Sequence, residues 1–247
     1  MKSSVTNYID YRNIPVTKDK LTIEIPSWEQ VARPMVDRVQ LAYQDQTGQT
    51  IDQLEDSHVQ ALNIPDLNTV GQVKSYGMEV FQKRARIEHY YQVLLPYILN
   101  HYYINSNAIM NTQEKDAYIR EYLEQVQAYA DQEGLTFKQY GQSLLNIQGD
   151  VKEALEQRAL EDFNFKLIAN DIYAKNHGSL DYDAYEEYIN QQVLYQQVDE
   201  IELRDQFSYQ QFINGYPEMW LADQIRDYYL PQIQFKINPD LESIIKN

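Results

Sequence analysis

The sequence predicts an all-α protein, and three observations predict it. From Ser27 to Pro231 the chain is a run of segments whose apolar residues recur at helical spacing, most of them opened by a capping residue. Only 8 of the 247 residues are glycine, too few for a turn-rich β protein or for phosphate-binding loops. One short stretch, residues 21–25 (Leu-Thr-Ile-Glu-Ile), alternates apolar and polar residues with the period of a strand, and no partner strand is apparent.

Pro15 and Pro26 bound that extended piece. Ser27 with Gln30 then fits a capping box, and Val31, Met35, Val39, Ala42 and Tyr43 form one apolar stripe. Pro34 inside the stripe predicts a kink or a first turn, and Gly48 ends the helix. Thr50 and Gln53 predict a short second helix to about His58. Residues 63–68 connect to a long helix from Asn68 or Thr69. In it Val73, Val80, Ile87 and Leu94 recur every seven residues, with Val70, Gly77, Tyr91 and Ile98 on the other seam position. That pattern predicts coiled-coil packing on a partner helix, with a bend at Pro96.

Residues 100–112 read as a loop. A helix follows from Asn111 or Thr112, burying Ile119, Tyr122, Leu123, Val126, Tyr129 and Ala130 and ending at Gly134. Thr136 with Gln139 caps a short helix through Leu145. Asp150 with Glu153 caps a long one ending at residues 176–178. In its second half Phe163, Phe165, Leu167, Ile168 and Ile172 point in nearly every direction, which predicts burial on all sides. Helices over 183–197 and 208–214 come next, with Asp181 as an N-cap. The last helix begins at Pro217, with Leu221, Ile225, Tyr228 and Tyr229 as its stripe, and the polar tail 238–247 is expected to fray. The expected division is an extended segment with linker-type helices over 1–62 and a helical domain over 63–247.

Composition narrows the function classes. Asp and Glu total 37 against 21 Lys and Arg, a net charge of −16. Nucleic acid and anionic membrane surfaces, which need a basic face, are not the expected partners. The absence of cysteine removes disulfides, thiolate catalysis and Cys-based metal sites. The N-terminus lacks the apolar core of a secretory signal. The longest mostly apolar run, residues 93–99, is too short for a bilayer, so the expected location is cytoplasmic.

Chemistry-bearing motifs are missing. The four histidines (His58, His89, His101 and His177) lie in no HExxH pattern, and none lies four residues from another. No P-loop, dinucleotide fingerprint or nucleophile elbow occurs. No metal, no cofactor and no enzymatic activity are expected. Lys83, Arg84, Arg86 and His89 form a basic cluster that reads as a solvated helix face. The 22 tyrosines are unusual, with pairs at 90–91, 102–103 and 228–229. Helical neighbours sit about 100° apart, so one member of each pair enters the core and the other is pushed outward. An outer tyrosine either packs at a groove edge or serves an amphipathic surface that grips peptides.

The order of segments resembles bacterial trigger factor, the ribosome-associated folding chaperone. Residues 64–68 (Ile-Pro-Asp-Leu-Asn) followed by 69–73 (Thr-Val-Gly-Gln-Val) look like the start of that family's C-terminal helical domain. Residues 128–140 look like the hinge between its two arms. Residues 150–173, with Leu-Ile-Ala at 167–169, resemble its central helix, and 183–190 match the helix after it. Residues 11–16 and the Ser27 helix resemble the linker before the family's prolyl isomerase domain. The family's ribosome-docking loop, of the G-F-R-x-G-x-x-P type, is absent, and no room exists for an isomerase domain before Asn63. Ribosome docking by that motif and isomerase activity are therefore not implied. SurA-type periplasmic chaperones share a related helical core.

The resemblance implies an elongated body whose helical projections, residues 111–145 and 183–217, flank a concave surface holding unfolded or nascent polypeptides without ATP. A homo-oligomer is compatible with it. The expected client contacts are Tyr102, Tyr103 and Met110, in the connector after the long helix, and Trp220 at the start of the last. The alternative is a non-enzymatic helical module binding one defined protein partner.

Overall fold

The computed structural model describes residues 2–178 and 180–241. Helices dominate, joined by two short two-stranded pairings. The chain divides into two compact units, one of Met1–Ile14 with Pro96–Asp227 and the other of Pro15–Leu95 with Tyr228–Asn247.

The second of these is built on two helices, α1 (Trp28–Thr47) and α3 (Val70–His89). The Ser27 hydroxyl accepts from the Gln30 N–H at 3.2 Å and opens α1, while Gly48, at φ 68°, closes it in the left-handed region. Thr69 and Gln72 form a full capping box at the start of α3. Gly77 lets the two helices approach: a Cβ there would lie 2.8 Å from Met35 Cβ. Val39, Leu54, Val59 and Val73 make the core between them. The sequence boundary at 62/63 lies inside this unit, because α1 and α3 on either side of it pack together.

Three expectations are corrected here. Thr50 and Gln53 open no helix. The Ile51 carbonyl instead accepts from Gln40 Nε2 at 2.8 Å, which fixes the segment against α1, and α2 (Asp56–Ala61) begins after Glu55. The seven-residue seam holds at Val73, Gly77 and Leu94, but Val80, Ile87 and Tyr91 are exposed. Past Gly77, α3 turns a different face inward, with Phe81 and Arg86 against Phe235. What it meets is the third difference, strand β4. Strand β2 (Thr22–Ile25) pairs in parallel with β4 (Gln234–Ile237), Thr22 opposite Gln234. Asn238, from the tail expected to fray, donates its N–H to the Ile25 carbonyl at 2.8 Å. The rest of that tail, residues 242–247, lies outside the described residues. After α3 the helix widens into a π turn, Tyr90–Leu94, immediately before Pro96, where the bend was predicted.

In the other unit, β1 (Ser4–Thr6) pairs antiparallel with β3 (Asn107–Ile109). The predicted loop over 100–112 is mostly regular: α4 (Leu95–Asn105) runs on and β3 follows. Helices α5 (Thr112–Gln132), α6 (Phe137–Ser143) and α7 (Val151–His177) start at the predicted caps Asn111, Thr136 and Asp150. Val126, Ile147, Val151 and Leu155 form their shared core. Then come α8 (Tyr182–Gln196), capped by Asp181, the unpredicted α9 (Glu200–Gln206), and α10 (Tyr209–Tyr229). They enclose a second core of Tyr185, Ile189 and Phe212. The break expected at Pro217 is absent, and the buried proline sits inside α10. A proline removes one helix hydrogen bond, and packing of its ring offsets that loss.

Gly141 on α6 faces α7 so closely that a Cβ would lie 2.3 Å from Val151 Cγ1. Gly141→Ala should cost about 1–3 kcal/mol by overpacking. Adding Val151→Ala should restore part of that loss, measured by denaturant unfolding. Two effects that simply add would mean the contact is not tight.

Candidate functional site

The four predicted client contacts fall in different surroundings. Tyr102 is 1% exposed and packs on Phe165, so it is a core residue. It fails as a surface residue because α4 continues through the expected connector and turns this ring inward. Tyr103 and Met110 are half-buried. Trp220 is half-buried in α10, edge-on to Tyr173 of α7 at 5.6 Å. The structure therefore does not gather the four into one surface. The tyrosine pairs do split as expected: Tyr90 is buried and Tyr91 exposed, Tyr229 is buried and Tyr228 exposed.

The most exposed apolar side chains lie elsewhere, at the turn joining α8 to α9. Leu194 is 76% exposed, Tyr195 84% and Ile201 74%, with Val198 between them. Local sequence explains the turn. Gln197 takes a left-handed conformation at the end of α8, and Asp199 caps α9 by accepting from the Glu202 N–H at 3.0 Å. Tyr185 and Ile189 carry the buried stripe of α8, and Leu194 and Tyr195 fall off it. Arg204 holds the two helices together, with both guanidinium nitrogens 2.7 Å from Glu186 and a further bond to Glu200 at 2.9 Å. It keeps the Glu186 carboxyl below its usual range. Sequence patterning assigns none of the four a role: Leu194 and Tyr195 fall in the predicted helix over 183–197, and Val198 and Ile201 fall between the predicted helices. The readable signal was an apolar pair off the stripe, followed by a turn.

A second apolar surface is an open cleft of about 790 Å³ on α5, α6 and α7. Ile119, Leu123 and Phe137 supply its apolar lining. The ion pairs Arg120–Glu124 and Lys152–Glu156 on its rim each run along one helix.

A half-buried ion pair sits where α5, α7 and α10 meet. Lys166 of α7 lies 3.6 Å from Glu218 of α10 and 5.6 Å from the centre of the Tyr118 ring of α5. Burial pushes Glu218 up to about 7, against the pull of Lys166 and with help from Asp162. Burial, then the neighbouring Glu161, pushes Asp162 up to about 6, opposed by Arg158. The Tyr118 hydroxyl is raised as well, by burial and then by these carboxylates. Among the described residues no group of three or more His, Asp or Glu side chains is placed to hold a metal ion. Nor is any described helix long and apolar enough to cross a membrane. No protein-family model, curated protein or solved structure matches the chain.

Both carboxyls titrate above their unfolded values, so the stability they contribute is complete below about pH 4 and is lost as pH rises through 6 and 7. Thermal stability should therefore fall between pH 4 and 8 more steeply in the parent protein than in Glu218→Gln. The difference should be about 2 kcal/mol, discounted from roughly 3 because a quarter of the Glu218 side chain is still wet. Parallel profiles would place Glu218 in solvent.

Proposed function

We propose that the protein is an ATP-independent, chaperone-like holder of unfolded or partly folded polypeptides, cytoplasmic and without enzymatic activity. The observation that carries this reading is the exposed turn with Leu194, Tyr195, Val198 and Ile201. Large apolar groups gathered this far into solvent are unusual on a monomer with no use for them. The α5–α7 cleft offers a second apolar surface on separate helices. Several weak contacts joined by one flexible client add up without demanding a sequence. The segment order that resembles trigger factor supports the same reading.

Acidity supports it too. Residues 181–206 carry eight carboxylates and a single arginine. Like-charge repulsion keeps two such apolar turns from joining each other and keeps a loaded complex soluble.

The second reading, a module for one defined partner, is favoured by the concentration of four exposed apolar side chains at one turn. Suppression of aggregation of two chemically unrelated unfolded proteins separates the two readings. The triple variant Leu194→Ser/Tyr195→Ser/Ile201→Ser should keep its melting temperature and lose suppression of both clients. Tyr102→Ser, by contrast, should cost on the order of 3–5 kcal/mol of stability, as removal of a large buried aromatic does. Full suppression by the triple variant would remove the turn from the account.

A further inference from the structure

We infer a binding site for an organic cation, an aromatic box between α7, α8 and α10. It is independent of the client-holding reading. A cavity of about 190 Å³ is lined by Tyr173, His177, Tyr188, Tyr216 and Trp220, with Glu187 also on its wall. Four of the ring pairs stand at steep angles, while Tyr173 and His177 stack at 4.8 Å and 30°. Trp220 is edge-on to Tyr173 at 5.6 Å and 84°, and to His177 at 5.0 Å and 77°. Tyr216 is edge-on to Tyr173 at 5.7 Å and 79°, and to Tyr188 at 5.3 Å and 68°. Rings set at steep angles to one another turn their faces in more than one direction, and each face is the negative pole of its ring.

Charge points to the same class of guest. Glu187 lies on an exposed turn of α8 and accepts from Gln191 Nε2 at 3.3 Å. An adjoining cleft of about 470 Å³ shares Tyr188, Tyr216 and Trp220 and adds Asp223 and Asp227. Arg226 in that cleft is engaged by both aspartates, at 2.7 and 3.2 Å. Burial first, then Glu187 and Asp181, raises the Tyr173 phenol, and burial, then the neighbouring Tyr173 and Tyr188, then Glu187 and Asp223, raises that of Tyr216.

Elsewhere the chain supplies its own cations to its rings: Arg86 to Phe235, Lys166 to Tyr118, Lys175 to Tyr8 and Arg204 to Tyr185. The residues lining the smaller cavity include no lysine or arginine. Several rings around a small volume with a carboxylate beside them suit a quaternary ammonium, an ammonium or a guanidinium. The cation comes either from a free small molecule or from a lysine or arginine side chain of a polypeptide.

The two tryptophans make the test direct. Indole N–H signals of the whole protein are followed by NMR during titration with choline, tetramethylammonium, and the blocked amides of lysine and arginine. The uncharged tert-butyl analogue of choline is the control, at constant ionic strength. The Trp220 signal should shift saturably with cations and the Trp28 signal should stay still. The neutral analogue should bind about tenfold more weakly, the size expected of cation–π contacts in a partly dry site. Tighter binding of choline identifies a free ammonium as the guest, and tighter binding of the amino-acid amides identifies a polypeptide side chain. By calorimetry Glu187→Gln, a change on an exposed helix face, should weaken binding several-fold with no loss of fold, and Trp220→Leu should abolish it. A neutral analogue that binds as well as the cations, or a Trp220 signal that no cation moves, would overturn the assignment.

Discussion

One constraint organises the unit that carries the candidate surfaces: α7 has to be covered on every side. Phe163, Asn164, Phe165, Ile168 and Ala169 are all buried, and consecutive residues on a helix cannot share a face. No single partner can cover such a helix. Tyr118 of α5 reaches Phe163, Tyr102 of α4 reaches Phe165, and Trp220 of α10 reaches Tyr173. The buried polar position is served in part: the Ser106 hydroxyl donates to Asn164 Oδ1 at 3.1 Å, while Asn164 Nδ2 is buried without a hydrogen-bond partner. Tyr8, from the N-terminal segment, donates to Asp171, and Lys175 joins the same group.

Wrapping one helix from several directions has consequences for the helices that wrap it. Each spends one face on α7 and leaves the next to find its own cover. α5 and α6 close over Val126 and Ile147 together with Val151 and Leu155 at the start of α7, and α8 and α10 close over Ile189 and Phe212. Apolar groups beyond those small cores stay wet, which is how Leu194, Tyr195 and Ile201 come to be exposed on an acidic stretch of the chain. The same arrangement encloses Glu218 and Lys166 at a three-helix junction, where the carboxyl loses hydration that one cation only partly replaces. Two cores and one central helix thus account for both the half-buried charge and the exposed apolar turn.

Much of this was legible in the sequence, for identifiable reasons. Caps are local, so Ser27, Thr69, Asn111, Thr136, Asp150 and Asp181 marked helix starts correctly. The all-round burial of α7 was readable from apolar residues that share no stripe. What failed depends on distant parts of the chain. The partner of β2 lies more than two hundred residues away, and the partner of β1 more than one hundred. The inward turn of Tyr102 required knowing that α4 continues and meets Phe165. Proline rules misjudged Pro217, where packing outweighs the lost hydrogen bond, yet located the change of helix type beside Pro96. Of the candidate site, the acidity and the aromatic excess were visible, but the exposed turn was not, since exposure follows from how the stripes of α8 and α9 are spent.

The central claim is that α7 is the rigid centre of its unit and that clients meet the exposed turn between α8 and α9. Hydrogen exchange of the whole protein, read with and without an unfolded client, tests both halves at once. Amides of residues 155–169 should exchange slowest and be unaffected by the client. Those of residues 193–203 should exchange fast alone and become protected when the client is added. Protection that leaves 193–203 untouched, or an α7 that exchanges as fast as α9, would contradict the account.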